Sequence, residues 1–144
     1  TGFKLDTRAT PHMHGSTFGG TQSIPNATWT KVVFINHSGN TSGLVQVSGG
    51  TQIMIKGTYL INFRVGFSAV TAAGSYVQCR LTYGNIGESA PCISGTGASM
   101  TAEINAVLHE IPRGQIIDYE VYQNSGGPLT LLNIQNQYSV TEIS

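Results

Sequence analysis

Pro11-His12-Met13-His14-Gly15 holds the densest set of ligating side chains in the sequence. On extended backbone the His-x-His spacing sends both imidazoles to one side. Three copies of His12 and His14 around a threefold axis would bring six ring nitrogens together, the donor number of an octahedral transition metal. The plain alternative is an exposed loop with two unliganded histidines, and no cofactor is otherwise required. Asp118 and Glu120 share one face of an alternating segment, as an acid and base pair would. They serve equally well as solvated groups or as partners of Arg64 or Arg80 across a sheet or subunit boundary. The Gly-x-Ser-x-Gly elbow, His-Glu-x-x-His and the phosphate-binding Gly-Lys-Ser/Thr are missing, and Gly95-Thr96-Gly97 lacks the strand-and-helix context of a nucleotide site. The expectation is a protein that is not an enzyme and has no catalytic residue.

Cys79 and Cys92 are the only cysteines. A disulfide between them would close a hairpin in an oxidising compartment. Val77, Cys79, Leu81 and Tyr83 alternate onto one face, so two buried free thiols fit the residues as well. Asn26-Ala27-Thr28, Asn36-His37-Ser38 and Asn40-Thr41-Ser42 match the glycosylation acceptor pattern, as chance allows in a chain rich in Ser, Thr and Asn.

The elements that must position these groups are strands. Between Gly57 and Phe67, Tyr59, Ile61, Phe63, Val65 and Phe67 fall on one side with Thr58, Leu60, Asn62, Arg64 and Gly66 on the other, a period of two that describes one wall of a core. A 3.6-residue period would scatter the five large groups. Tyr76 to Tyr83 alternates again, as do Ala102, Ile104, Ala106 and Leu108, and then Ile117, Tyr119 and Val121. Gly43 to Val47 and Gln52 to Ile55 read as short strands around Gly49-Gly50, and Leu129 to about Ile143 as the last strand. Trp29 to Ile35 is apolar on both faces toward its end, as in a strand covered on both sides, and stops at a turn cluster, Asn36 to Asn40. Residues 84 to 97 read as a loop, and residues 1–23 as an N-terminal extended arm ahead of a domain spanning 24–144. The spacing predicts an all-β, antiparallel two-sheet sandwich or jelly roll with a core of Tyr59, Ile61, Phe63, Val65, Leu81, Ile104, Ala106, Leu108, Tyr119 and Val121.

Composition narrows the partners. The 144 residues suit one domain. Only 10% are charged, against about 25% in an ordinary globular chain, and the formal net charge is zero. No basic run follows a phosphate backbone or an anionic bilayer, and no apolar run is long enough to span one, which excludes nucleic acid and membrane insertion. Low charge also gives little protection from self-association, favouring a defined oligomer. A start at Thr1 rather than Met reads as a processed product or a piece of a longer chain.

The order of these segments resembles the jelly-roll family shared by the globular heads of complement-type proteins and the tumour necrosis factor cytokines. The residues that carry the resemblance are Trp29 through Phe34, the Gly-x-Tyr-x-x-x-Phe strand at Gly57 to Phe63, Ile111-Pro112-Arg113-Gly114-Gln115 followed by Asp118 to Tyr122, and Gln123 to Leu131. The last stretch looks like the penultimate turn of such domains on phage fibres and spikes and on bacterial collagen-like filaments. The similarity covers about residues 28–143; the usual aromatic-rich closing strand is represented only by Tyr138. The resemblance implies a compact homotrimer at the tip of a virion, extracellular or cell-surface protein, attaching to a host-surface glycan or protein, with an architectural cap as the alternative. Apolar groups out of phase support the trimer: Leu60, Ile116, Leu132 and Ile134, joined by Tyr138, are the expected interface. The expected ligand contacts are Asn36, His37 and Asn40 in one turn, Asn85 and Glu88 in the loop from Gly84 to Gly97, and the aromatics Tyr83 and Tyr122.

Overall fold

Tyr59, Ile61, Phe63, Val65 and Phe67 are all fully sealed from water while Leu60 between them is 45% exposed, so the period of two in the sequence is the period of burial in the structure. The computed structural model describes residues 10–17, 20–38, 43–70, 74–84, 86–89, 93–94, 97–132 and 136–144, by backbone alone at 69–70, 86–89, 93–94 and 97–99. In chain order the strands are β1 His12–Ser16, β2 Ser23–Ile24, β3 Thr30–Lys31, β4 Asn36–Ser38, β5 Leu44–Val47, β6 Gly50–Ile53, β7 Gly57–Val70, β8 Tyr76–Tyr83, β9 Ile86–Ser89, β10 Ile93–Ser94, β11 Gly97–Ile111, β12 Ile116–Gln123, β13 Leu129–Thr130 and β14 Gln137–Glu142. No helix occurs among the described residues.

One sheet has the order β11-β7-β14-β1-β4. A second has the order β10-β8-β12-β6-β5, with β3 added to β12 and β9 to β8, β13 and β2 pair as a separate two-stranded sheet, and every pairing is antiparallel. The two sheets meet through aromatic rings. Phe63 of β7 lies 5.3 Å from Tyr119 of β12, and Tyr119 stacks at 4.5 Å and 23° on Tyr138 of β14. Phe34 adds edge contacts to Phe63, Tyr119 and Tyr138. All ten expected core residues lie in or against this interior, Ala106 being the one only partly buried. The architecture is the expected all-β antiparallel jelly-roll sandwich.

Several expectations change. The stretch read as an arm supplies β1, which sits between β14 and β4 with Met13 in the core, so a boundary at residue 23 cuts through the sandwich. Its inward positions are Met13, Gly15 and Thr17, only one of them large and apolar, and the period-two signal is nearly silent for that reason. Gly15 is required by packing: a Cβ there would lie 2.3 Å from Tyr138 Cε1. The turn expected at Asn36 to Asn40 is instead the edge strand β4 over its first three residues. Trp29 to Ile35 is covered on one side only, since Val32 and Phe34 are buried while Val33 and Ile35 are 55% and 54% exposed. Gly84 to Gly97 contributes the short strands β9 and β10, and the single closing strand is divided into β13 and β14. Of the two alternatives for the cysteines, Cys79 is a buried free thiol; Cys92 lies outside the described residues.

Burial sets the acidity of this interior. It pushes the Cys79 thiol from 9.0 up to about 12 and the Tyr138 hydroxyl from 10.0 up to about 12. Tyr119, enclosed completely, is raised well above its ordinary value, the hydrogen bond from Thr51 opposing the shift only in part. Each group is held neutral in the folded state, whereas the unfolded chain releases the proton at lower pH. The stabilisation is therefore complete below the ordinary value and is lost as pH rises toward the folded one. Thermal unfolding should show a decline beginning near pH 9.0 and steepening toward about 12, with Tyr138→Phe flattening the upper part. A melting temperature level across that interval would contradict the burial assignment. Gly15→Ala should cost about 1–3 kcal/mol through overpacking against Tyr138. An unchanged denaturation midpoint would show that the ring can move aside.

Candidate functional site

The water-facing side of the five-stranded sheet is assembled from residues far apart in sequence. Register places Asn36, Ser16, Gln137, Arg64 and Glu103 in one rung. The next holds Ser38, His14, Ser139, Asn62 and Asn105, and the third His12, Thr141, Leu60 and Val107. The first two rungs are hydrogen-bonding and the third ends in apolar groups, Leu60 at 45% and Val107 at 43% exposure. Asn62 Nδ2 donates to Glu103 Oε1 at 2.8 Å and to Asn105 Oδ1 at 2.5 Å. Arg64 stands directly opposite Glu103, yet its Nε is buried with no hydrogen-bond partner among the described residues. A groove of about 430 Å³ opens over β1, β4 and β14, lined in part by His14, Ser16, Asn36, Gln137 and Ser139.

His12 and His14 do point to one side, both exposed, as the His-x-His spacing requires. His14 Nε2 is engaged by Ser38 Oγ and His12 Nδ1 lies 3.2 Å from the Thr10 carbonyl. Among the described residues no three His, Cys, Asp or Glu side chains come together to hold a metal, so two imidazoles per chain are an incomplete donor set.

His37 points inward from the edge strand. Its Nε2 is 3.1 Å from the Phe34 carbonyl, which can only accept, so Nε2 carries a proton, and Nδ1 pairs with the Tyr138 hydroxyl at 2.8 Å. His37 thus satisfies a core tyrosine. The other expected ligand contacts do not gather in one place either. Asn36 is exposed on the five-stranded sheet, Tyr83 packs against the core, and Tyr122 lies on the outer face of the other sheet. Glu88 sits on β9, its backbone opposite Leu81, and Asn40 and Asn85 fall outside the described residues.

The expected interface residues divide likewise. Leu60 is exposed as expected, and Val107 beside it was missed because it interrupts an Ala-Val-Leu run whose outward member is hidden by apolar neighbours. Ile116 is 38% exposed but belongs to the outer face of the opposite sheet. Leu132 is half-buried, its N–H donating to the Gly66 carbonyl at 2.8 Å. Tyr138 is interior, because its position on β14 is in the inward phase with Val140; Ile134 lies outside the described residues.

A second cluster occupies the outer face of the other sheet. Tyr122 lies 5.4 Å from Trp29 and 5.7 Å from Tyr76, stacked at 22° on the latter, and the Arg80 guanidinium sits 4.0 Å from the Trp29 ring centre. Arg80 Nε donates to Glu120 Oε1 at 2.9 Å and Lys31 Nζ lies 3.2 Å from Asp118 Oδ2. The two carboxylates considered as an acid and base pair are therefore both held in ion pairs. Trp29 was not foreseen as a member; its signal was the aromatic residue itself, placed just before a strand.

No family model matches the sequence, and no curated protein does. Solved structures match over nearly the whole chain. Murine APRIL superposes with a TM-score of 0.64 at 17% identity, covering 94% of this chain and 100% of that one. The globular domain of zebrafish complement 1qA gives 0.64 at 15%, covering 94% and 98%. The PRD1 vertex protein P5 gives 0.63 at 19%, covering 92% and 95%. Identities at this level carry the fold alone, and that fold is the jelly roll seen in murine APRIL and in the complement 1qA globular domain.

Proposed function

We propose that the chain is a non-enzymatic head domain of a larger surface or virion protein, assembled as a homotrimer and attaching its parent to a host-surface or extracellular ligand. The observation that carries the oligomer is the outer face of the five-stranded sheet. There Leu60 and Val107 expose apolar surface side by side, and the buried Nε of Arg64 has no acceptor among the described residues. A buried donor left unpaired costs about 1–3 kcal/mol, and a neighbouring copy that supplied an acceptor and covered the apolar pair would remove both penalties. Attachment rests on the fold, on zero net charge that disfavours nucleic acid, and on a surface rich in neutral hydrogen-bonding groups. No helix is long and apolar enough to cross a membrane among the described residues. The likeness to a phage vertex protein favours the second reading, an architectural cap without a specific ligand.

Native mass measurement should give three chains per particle. Leu60→Asp should dissociate or unfold it, because each copy would bury an unpaired carboxylate. A monodisperse monomer at micromolar concentration overturns the trimer, and a stable trimer in the variant places the interface elsewhere. Labelled native protein should bind intact cells bearing the ligand; a folded trimer that attaches to none favours the cap. His12 and His14 share this face, and protein purified without a His-affinity step should contain about one transition metal per trimer, lost in His14→Ala, if three copies complete the donor set. A metal-free trimer that gains no thermal stability from added iron, nickel or zinc leaves both as surface groups.

A further inference from the structure

A solvent-facing side of an antiparallel sheet is ordinarily polar, yet Trp29, Tyr76 and Tyr122 cluster on the outer face of the seven-stranded sheet, each partly buried and partly open to water, with Tyr122 stacked on Tyr76. We propose that this aromatic platform, with Arg80 and Glu120 beside it, binds an uncharged glycan. The proposal rests on the recognition reading above and names its ligand class and its site.

The platform has the two kinds of group a sugar needs. Pyranose rings carry C–H-rich faces that meet the electron-rich faces of aromatic rings, and rims of hydroxyls that need donors and acceptors in fixed positions. Neighbouring ring centres here lie 5.4 and 5.7 Å apart, so the three rings form one continuous apolar patch. Arg80 lies over Trp29 and is fixed by one Nε contact to Glu120, so a guanidinium with five N–H donors and a carboxylate with two oxygens are held in the same patch. Lys31 and Asp118 add a second pair alongside.

Charge decides among glycans. Among the described residues the four ionic groups of the patch are two cations and two anions joined in two pairs, so they offer no net charge to sialylated, uronic or sulfated chains and none to a basic peptide. The patch is also held in place before any ligand arrives. Tyr76 is anchored through its backbone by Asn124, with Tyr76 N–H donating to Asn124 Oδ1 at 2.7 Å, and Tyr122 lies within the longest pairing of the sheet. Little ordering cost is then left for binding. Because the patch and the Leu60 face belong to opposite sides of the sandwich, trimer formation through one leaves the other in water.

Trp29 is the only tryptophan of the chain, so its fluorescence reports on this patch alone. Native protein titrated with oligosaccharides of a glucan, a mannan and a galactan should show a saturable change in Trp29 emission with at least one of them and none with polygalacturonate. Tyr122→Ala should weaken that binding at least about tenfold, while Tyr122→Phe, which keeps the ring, retains it; equal melting temperatures show that both variants are folded. No Trp29 response to any of the neutral chains, a preference for polygalacturonate, or unchanged binding in folded Tyr122→Ala overturns the platform. If Tyr122→Ala still attaches to cells as native protein does, recognition stands, through a protein or another surface, and only the platform fails. If native protein attaches to no cell and responds to no glycan, both readings fail together.

Discussion

The stack of Tyr119 on Tyr138, braced by Phe34 and Phe63, is the contact on which the two sheets depend. Tyrosine brings a large apolar ring into the interior together with a hydroxyl that cannot be left unpaired there. Each hydroxyl has a dedicated partner: Thr51 Oγ1 at 2.9 Å for Tyr119, and His37 Nδ1 at 2.8 Å for Tyr138. Those partners sit on β6 and β4, strands near the sheet edges, so the demands of two rings at the centre reach outward and fix strands with few apolar residues of their own. Gly15 belongs to the same constraint. The Tyr138 ring occupies the space its side chain would need, and β1 can lie beside β14 only because none is there.

With the interior filled in this way, the two outer faces are free to differ, and they do. The seven-stranded sheet turns its ionic groups into pairs on the water side and sets aromatic rings among them. The five-stranded sheet holds an arginine and a glutamate directly opposite one another that do not pair; Glu103 instead accepts from Asn62 and Asn105. An exposed ion pair on a strand contributes little in any case. A guanidinium Nε buried with no partner among the described residues is a different situation, because a donor shielded from water is costly to leave unmatched.

What the sequence made legible follows from which positions carry large side chains. β7, β8, β11 and β12 were readable because every inward position from Tyr59 to Phe67, or from Ile117 to Val121, is large and apolar. β1 and β4 were not, because their inward members include Gly15 and His37, chosen for fit and hydrogen bonding to one ring on a strand more than a hundred residues away. Tyr138 was misplaced for a related reason: an isolated aromatic in a polar segment looks like a surface residue until its phase with Val140 is known. The faces were harder still. Leu60 was visible as an apolar group out of phase on a clear strand, but Val107 comes to lie opposite it, and Glu103 opposite Arg64, only through register, and Trp29 meets Tyr122 only through the pairing of β3 with β12.

The low charge of the chain gains a meaning from this arrangement. Seven cationic and seven anionic residues serve the whole sequence, and four of these fourteen stand on the outer face of the seven-stranded sheet as two closed pairs. Spending so large a share on groups that cancel one another gives that patch no long-range field, but it supplies directional donors and acceptors whose positions are set by neighbours rather than by solvent. A surface built for electrostatic capture would leave its charges uncompensated and spread them. Here the charges are closed against each other and placed near rings, so what that face presents is shape and hydrogen-bond geometry at short range rather than a field.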